Sequence, residues 1–293
     1  MSESVRRVAA GRDGTLRRVI RELFHIGPLS ISPFGGMLML AFLVGYAQLA
    51  WGLKRLDAGD ADDASTLMLW AGLAGIVGCK IYYAALYRDW HLLWDRSGFV
   101  WYGGFVLGAA AVVWVIRRRN LPPWPTLDAT GLALAVGYAV GRIGCFLVGD
   151  DYGRPTDLPW GVAFPVGLPP TRAGLLRTEF HVAVNPAIPD EALVKVHPTQ
   201  VYETLLALLI WGIGLWLLRR NPRSGTVGLV VIGLLASERF GVEFLRAKDD
   251  RFFGPMTLAQ VISVAVLVIV AVLLVRRRGD AAEEESLRPA QAR

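Results

Sequence analysis

Apolar residues in this chain run in long unbroken blocks rather than in alternation. Seven blocks, at about 31–53, 65–87, 98–116, 127–148, 198–218, 225–246 and 256–275, are long enough to span a bilayer. A spanning helix needs about 20 mostly apolar residues. Most connections between the blocks are short. The pattern predicts an all-α polytopic membrane protein of about seven transmembrane helices, forming one unit over residues 29–277. One connection is long, about 149–196, and rich in Pro and Gly. It also holds Trp160, Phe164 and Phe180. A connection of that length is uncommon unless it is functional. It reads as a small head over the bundle, with short strands expected at Val162–Phe164 and Phe180–Val184.

Charge sets the expected orientation. Basic residues gather at Lys54-Arg55, Arg117–Arg119, Arg219-Arg220 with Arg223, and Arg276–Arg278. With seven spans, all four groups fall on one face, which the positive-inside rule makes cytoplasmic. The N-terminus and the head are then extracytoplasmic, and the C-terminus is cytoplasmic. The net charge of +6 thus speaks to membrane orientation rather than to nucleic acid. Residues 1–28 run against the pattern with six arginines, Arg6, Arg7, Arg12, Arg17, Arg18 and Arg21. They read as a basic arm, with Thr15 to His25 as a helix lying on the lipid surface. The segment 278–293, with Glu283, Glu284 and Glu285, reads as a disordered, solvated tail. No cleavable signal peptide is expected at the start.

A composition that is 54% hydrophobic excludes an ordinary soluble domain. The two cysteines, Cys79 and Cys145, both lie within apolar blocks and have no disulfide or metal-site spacing. Gly72, Gly75 and Gly78, then Gly104 and Gly108, then Gly137 and Gly141 recur at intervals that let helices pack closely in lipid.

Candidate chemistry lies in the charges inside the blocks. Arg142 and Arg239 sit at membrane depth, where an arginine is costly and needs a partner. Two fixed cations in an apolar layer point to an anion, and phospholipid phosphate is the one a membrane supplies. A guanidinium offers a planar fork of donors suited to it. Tyr138, Arg142, Cys145 and Gly149 share one helical stripe leading to Asp150 and Asp151, either of which suits the fork. The plainer alternative is an Arg142 that reaches the interface to pair with one of those acids. Arg239 and Glu243 stand four apart, with Arg246 a turn beyond. An internal ion pair there serves packing as well as chemistry. The fifth block opens His197-Pro198-Thr199-Gln200-Val201-Tyr202-Glu203, with Gln200 and Glu203 on one face. His197, at the head boundary, is a candidate proton acceptor. The third block carries Trp101-Tyr102-Gly103-Gly104, where paired glycines admit close backbone approach.

In this order, these motifs resemble the prolipoprotein diacylglyceryl transferase family over about residues 27–275. The strongest part runs from Gly141 to Gly153 and on through Arg154-Pro155-Thr156. The His197–Glu203 and Arg239–Glu243 stretches, Gly27-Pro28 and Gly103-Gly104 add to it. The resemblance implies a seven-span bacterial inner-membrane enzyme with a head on the outer side. Its partners would be phosphatidylglycerol and the lipobox cysteine of a preprolipoprotein signal peptide. The diacylglyceryl group moves to the thiol and glycerol phosphate leaves, with no metal or cofactor. By position, Arg142 and Arg239 would hold the lipid phosphate. Gly153, Asp150 and Glu243 would shape the site, and Gly103, Gly104, Cys145, Glu203 and Arg246 would line it. The family's usual His-Gly-Gly reads Tyr102-Gly103-Gly104 here. Its usual Asn is Cys145, its usual Glu is Asp150, and its usual Tyr-Gly is Phe34-Gly35. The base for the thiol is then Tyr102 or His197, although an unperturbed phenol, with a pKa of about 10, is a poor base at neutral pH. Two alternatives keep a similar bundle. One is a paralogue that binds or transports phospholipid without this transfer, which the missing His favours. The other is a secondary transporter, although no internal repeats or paired broken helices are evident.

Overall fold

The computed structural model describes residues 24–26, 29–94, 101–247 and 251–286. The basic arm, Gly27-Pro28 and the start of the third block at 98–100 fall outside them. Of the expected surface helix, only Phe24 and His25 are described. They belong to a strand, β1 (Phe24–Ile26), paired antiparallel with β2 (Leu29–Ile31).

Eight helices are described, and each apolar block becomes one. α1 (Pro33–Arg55) starts at Ser32, whose hydroxyl accepts from the Gly35 amide at 3.1 Å, with proline in the first turn. α2 (Ala61–Tyr87) opens on a reciprocal capping box between Asp60 and Asp63. α3 (Trp101–Arg118) and α4 (Pro123–Val148) follow, and α4 stops at Gly149 with φ +65°. The head holds the short α5 (Ala173–Thr178). Next come α6 (Thr199–Arg219) and α7 (Thr226–Val242), which runs into a 3₁₀ turn at Glu243–Leu245. A hairpin of β3 (Arg251–Phe253) and β4 (Met256–Thr257) leads to α8 (Leu258–Ser286).

Five of these helices are long and apolar enough to cross a membrane: α1, α2, α4, α6 and α8 over Leu258–Arg277. α3 has 18 residues ending in Arg117 and Arg118, and α7 has 17 with Glu238 and Arg239 near its end. The result is a mostly helical, multi-pass membrane protein. Exposed Leu43, Ile76, Val106, Leu205 and Val268 give the bundle an apolar outer surface suited to lipid.

α4 is the central helix. It packs against α1, α6 and α7, while α3 lies along α2. Of the most apolar stretch of α4, 56% is buried, against 28% or less in the other four spans. Small residues make the close crossings. A Cβ on Gly103 would run into the Gly78 carbonyl, and one on Gly131 would stand 3.0 Å from the Gly228 Cα. Asp128, buried in α4, accepts from the Gly225 amide at 2.6 Å and the Gly228 amide at 2.7 Å. One carboxylate thereby caps α7 and ties it to the centre.

The head differs from expectation. Val162 makes a single bridge to Val196, and 180–184 forms no strand. The chain there closes on itself through the Val182 amide bonded to the Leu176 carbonyl. Tyr152, Phe164, Leu176, Val182, Val196 and Ala247 form the head's own apolar core. At the other end, α8 continues to Ser286, into the first part of the 278–293 segment expected to be disordered; residues 287–293 lie outside the described residues. Ala281, Ala282 and Glu283–Glu285 are strong helix formers and extend it.

Replacing Asp128 by Ala strands two buried amides at the start of α7. The expected loss is about 1–2 kcal/mol, read as a lower thermal midpoint in detergent, with Asp128→Asn falling between the two.

Candidate active site

The chain brings its buried charges together where α4, α6 and α7 meet the head. Glu203, on the first turn of α6, is fully buried, with both carboxylate oxygens turned to arginine. Oε2 accepts from Arg142 Nε at 2.6 Å and also from Arg142 Nη2. Oε1 stands 3.8 Å from Arg239 Nη1 and accepts from the Tyr138 hydroxyl at 3.1 Å. Two arginines from different helices therefore converge on one carboxylate. Burying these charges is tolerable because each is answered.

The rest of each fork is also engaged. Arg142 Nη1 donates to Asp151 Oδ2 at 3.0 Å and lies 3.5 Å from Cys145 Sγ. Arg239 Nη2 pairs with Glu243 at 2.7 Å. Arg246 Nη2 donates to Asp151 Oδ1, and its Nε lies 3.9 Å from Glu243. The result is a closed ring of charges: Arg142, Glu203, Arg239, Glu243, Arg246 and Asp151. Arg239 Nη1 and Arg246 Nε are buried without a hydrogen bond among the described residues, and Arg239 Nη1 has Glu203 Oε1 only at ion-pair range, 3.8 Å. A buried donor of this kind is suited to an anion.

Asp151 rather than Asp150 closes the ring. Its backbone is left-handed, with φ +59°, and its carbonyl accepts from Thr199 Oγ1 at 2.9 Å. Burial would raise its pKa, but Arg246 and then Arg142 outweigh burial and hold it down at about 2. Asp151 therefore stays ionised at neutral pH. Asp150 is pushed the other way, by burial and then by its neighbour Asp151. Its carbonyl accepts from Gln200 Nε2 at 2.6 Å, and its carboxylate is in none of the ion pairs that close the ring.

The head carries the last partners into place. Residues 152–154 run between two other segments. The Gly153 amide bonds to the His197 carbonyl at 2.9 Å, the Arg154 amide to Leu245 at 2.7 Å, and the Ala247 amide to Tyr152 at 3.2 Å. A Cβ on Gly153 would lie 2.6 Å from the Leu245 carbonyl oxygen and 2.7 Å from the His197 Cβ. Only glycine fits there, and its fit fixes the segments that bear Arg246 and His197. His197 is half-buried. Its Nδ1 lies 3.3 Å from the Tyr202 hydroxyl, which accepts from Trp160 Nε1 at 2.8 Å. Burial lowers the His197 pKa.

Arg142, Arg239, Glu203, Glu243, Arg246 and Cys145 are thus gathered in one place, with Gly153 and His197 at its head-side border. Tyr102 lies instead on the α2–α3 pair, with its ring 6.4 Å from that of Tyr82. Gly103 and Gly104 make the α2–α3 crossing, where a Cβ on Gly104 would lie 2.9 Å from the Gly75 carbonyl oxygen. Among the described residues, no group of three or more His, Cys, Asp or Glu side chains is arranged to hold a metal ion.

Fold and site together define a polytopic membrane protein with a ring of buried arginines and carboxylates beneath a loop-rich head. The family model for prolipoprotein diacylglyceryl transferase matches residues 21–276, and the chain belongs to that family. Similar proteins named phosphatidylglycerol–prolipoprotein diacylglyceryl transferase occur in several bacteria. The one from Solidesulfovibrio magneticus is 34% identical, over 87% of this chain and 93% of its own. That from Stenotrophomonas maltophilia is 32% identical, over 86% and 90%. That from Synechococcus elongatus is 28% identical, over 84% and 83%.

Glu203→Ala removes the main partner of the buried Arg142 and leaves Asp151 to answer it from the other side; breaking a buried pair costs about 3–5 kcal/mol in comparable cases. The expected outcome is a protein that loses its thermal transition in detergent or shows it well below the wild type. Glu203→Gln, of the same shape, should fall less far.

Proposed function

We propose that this chain transfers the diacylglyceryl group of phosphatidylglycerol to the lipobox cysteine thiol of a preprolipoprotein. The relatives carry the name of that transferase, so transfer rather than lipid binding alone is the reading. The observation that carries the site assignment is the buried Arg239 Nη1, which makes no hydrogen bond among the described residues, beside the Arg142–Glu203 pair. The lipid phosphate docks against Arg239, with the Arg142 guanidinium held beside it by Glu203 and Asp151. Glu203 and Glu243 hold the two guanidinium planes, so little reorganisation is needed when charge develops.

The substrate cysteine sulfur attacks the glyceryl carbon that bears the phosphate oxygen. A C–S bond forms, the C–O bond breaks, and glycerol phosphate leaves with both electrons of that bond. The arginines stabilise the charge that gathers on the departing phosphate. The thiol proton goes to a base. His197 suits this role, because burial keeps its imidazole neutral at neutral pH. Tyr102 is the other candidate, by its position in the motif. The nucleophile comes from the substrate and the leaving group is already a phosphate, so the step calls for no metal or cofactor.

The chain sits in the bacterial inner membrane with about seven spans. α3 and α7 complete the five longer helices, and segment 149–196 forms an extracytoplasmic head. The four basic groups at helix ends support this orientation. A head on that side places the arginine ring within reach of a secreted signal peptide.

Purified protein is mixed with phosphatidylglycerol and a lipobox peptide, and thioether formation is followed by mass. Arg239→Gln should slow it about 100-fold or more, as loss of a charge-stabilising donor does elsewhere. If His197 is the base, activity falls as pH drops through its pKa, below about 6.5, and His197→Ala abolishes that limb. Full activity in His197→Ala together with a large loss in Tyr102→Phe moves the role to Tyr102. Phospholipid binding without product contradicts the transfer.

A further inference from the structure

A cavity lined by three arginines lies at the other end of the central helix. It encloses about 520 Å³ and is lined by Trp124, Arg223, Ser224, Leu273, Arg276 and Arg277. Trp124 and Arg142 are 18 residues apart on α4, roughly 27 Å along the axis at 1.5 Å per residue. The cavity is therefore separate from the arginine ring and near the opposite membrane face.

Its walls are tied together by arginine. The Arg277 guanidinium stacks 3.9 Å over the Trp124 ring and donates to the Ser224 carbonyl. Arg223 donates to the Arg277 carbonyl. The α6–α7 connection, α8 and the start of α4 are thus stapled around one concavity. Asp128, the nearby acid that Arg277 influences, already has both oxygens bonded to the Gly225 and Gly228 amides. Neither Arg223 nor Arg276 makes an ion pair among the described residues. The first turn of α4 adds the positive end of its dipole.

A second basic cavity makes a useful contrast. Between α2 and α3, Thr66, Trp70, Trp114, Val115, Arg118 and Arg119 line about 370 Å³. There Arg119 pairs with Asp62 at 2.7 Å and Asp63 at 3.1 Å, so its charge is answered within the chain. Arg223 and Arg276, at the Trp124 cavity, form no such pair among the described residues.

We propose that the cavity of Trp124, Arg223, Arg276 and Arg277 is a second phosphate-binding site, for the headgroup phosphate of an anionic phospholipid in the leaflet opposite the arginine ring. Basic pockets between membrane helices suit such headgroups. Leu273 and the Trp124 ring provide apolar wall for the lipid below the phosphate, while Arg223 and Arg276 provide charge at its mouth. Occupation would brace α8 against the α6–α7 connection without taking part in transfer. Free phosphate offers the same chemistry and is the alternative source.

The test uses the full chain in detergent with phosphatidylserine, phosphatidylcholine or inorganic phosphate. Bound lipid is counted by native mass spectrometry and stability is read by thermal midpoint. The site predicts saturable retention of phosphatidylserine that weakens about fivefold in Arg276→Gln, and again in Arg223→Gln. That is the equivalent of ~1 kcal/mol for one basic residue near an anionic surface. Arg276→Lys should keep most of the retention, and thioether formation should be unchanged in all three variants. Stabilisation of the wild type but not of Arg276→Gln by inorganic phosphate alone assigns the site to the free anion. The same pattern with phosphatidylserine alone assigns it to lipid. Equal retention of phosphatidylserine by the wild type and Arg276→Gln overturns the proposal, as does equal retention of phosphatidylcholine and phosphatidylserine.

Discussion

The contact between Glu203 and two arginines from different helices organises this protein. A buried carboxylate alone in an apolar bundle would be too costly to keep charged, and so would a buried guanidinium. Together they define where α4, α6 and α7 meet. Arg142 donates from both Nε and an Nη to one Glu203 oxygen, while Arg239 approaches the other oxygen at 3.8 Å. That asymmetry leaves Arg142 mostly committed to the protein and Arg239 with a donor to spare. The residue that ties the helices together and the residue proposed to meet substrate are neighbours in one ring.

The head completes the ring rather than merely covering it. Gly153 threads between the segments that carry His197 and Leu245, so its backbone bonds fix the approach of Arg246. Asp151 then bridges Arg246 to Arg142. Sequence positions from about 142 to 246 are joined through a loop that on its own has almost no regular structure. The small apolar core around Phe164 and Leu176 gives that loop its rigidity.

The helices were legible because lipid imposes long apolar blocks, and every block became a helix. Their exact spanning character was less legible. α3 and α7 carry charge near their ends, and five of the described helices have the length and apolarity to cross by themselves. The arginines, Glu243 and Glu203 were visible as charges where charge is expensive. That Asp151 and not Asp150 joins them was not visible, since two adjacent acids differ only in the turn that aims them. The left-handed backbone at Asp151 settles that choice. α5 and the lone bridges of the head left no periodic signal, because their packing comes from contacts distant in sequence. The helix at 278–286 was missed by weighing charge above the strong helix preference of Ala and Glu.

The most direct measurement is an experimental structure of the full chain with phosphatidylglycerol bound. The lipid phosphate is expected within hydrogen-bond reach of Arg239, with Arg142 and Glu203 still paired behind it. A phosphate seated on another flank of the bundle, with both guanidinium groups untouched, would contradict the role assigned to the ring.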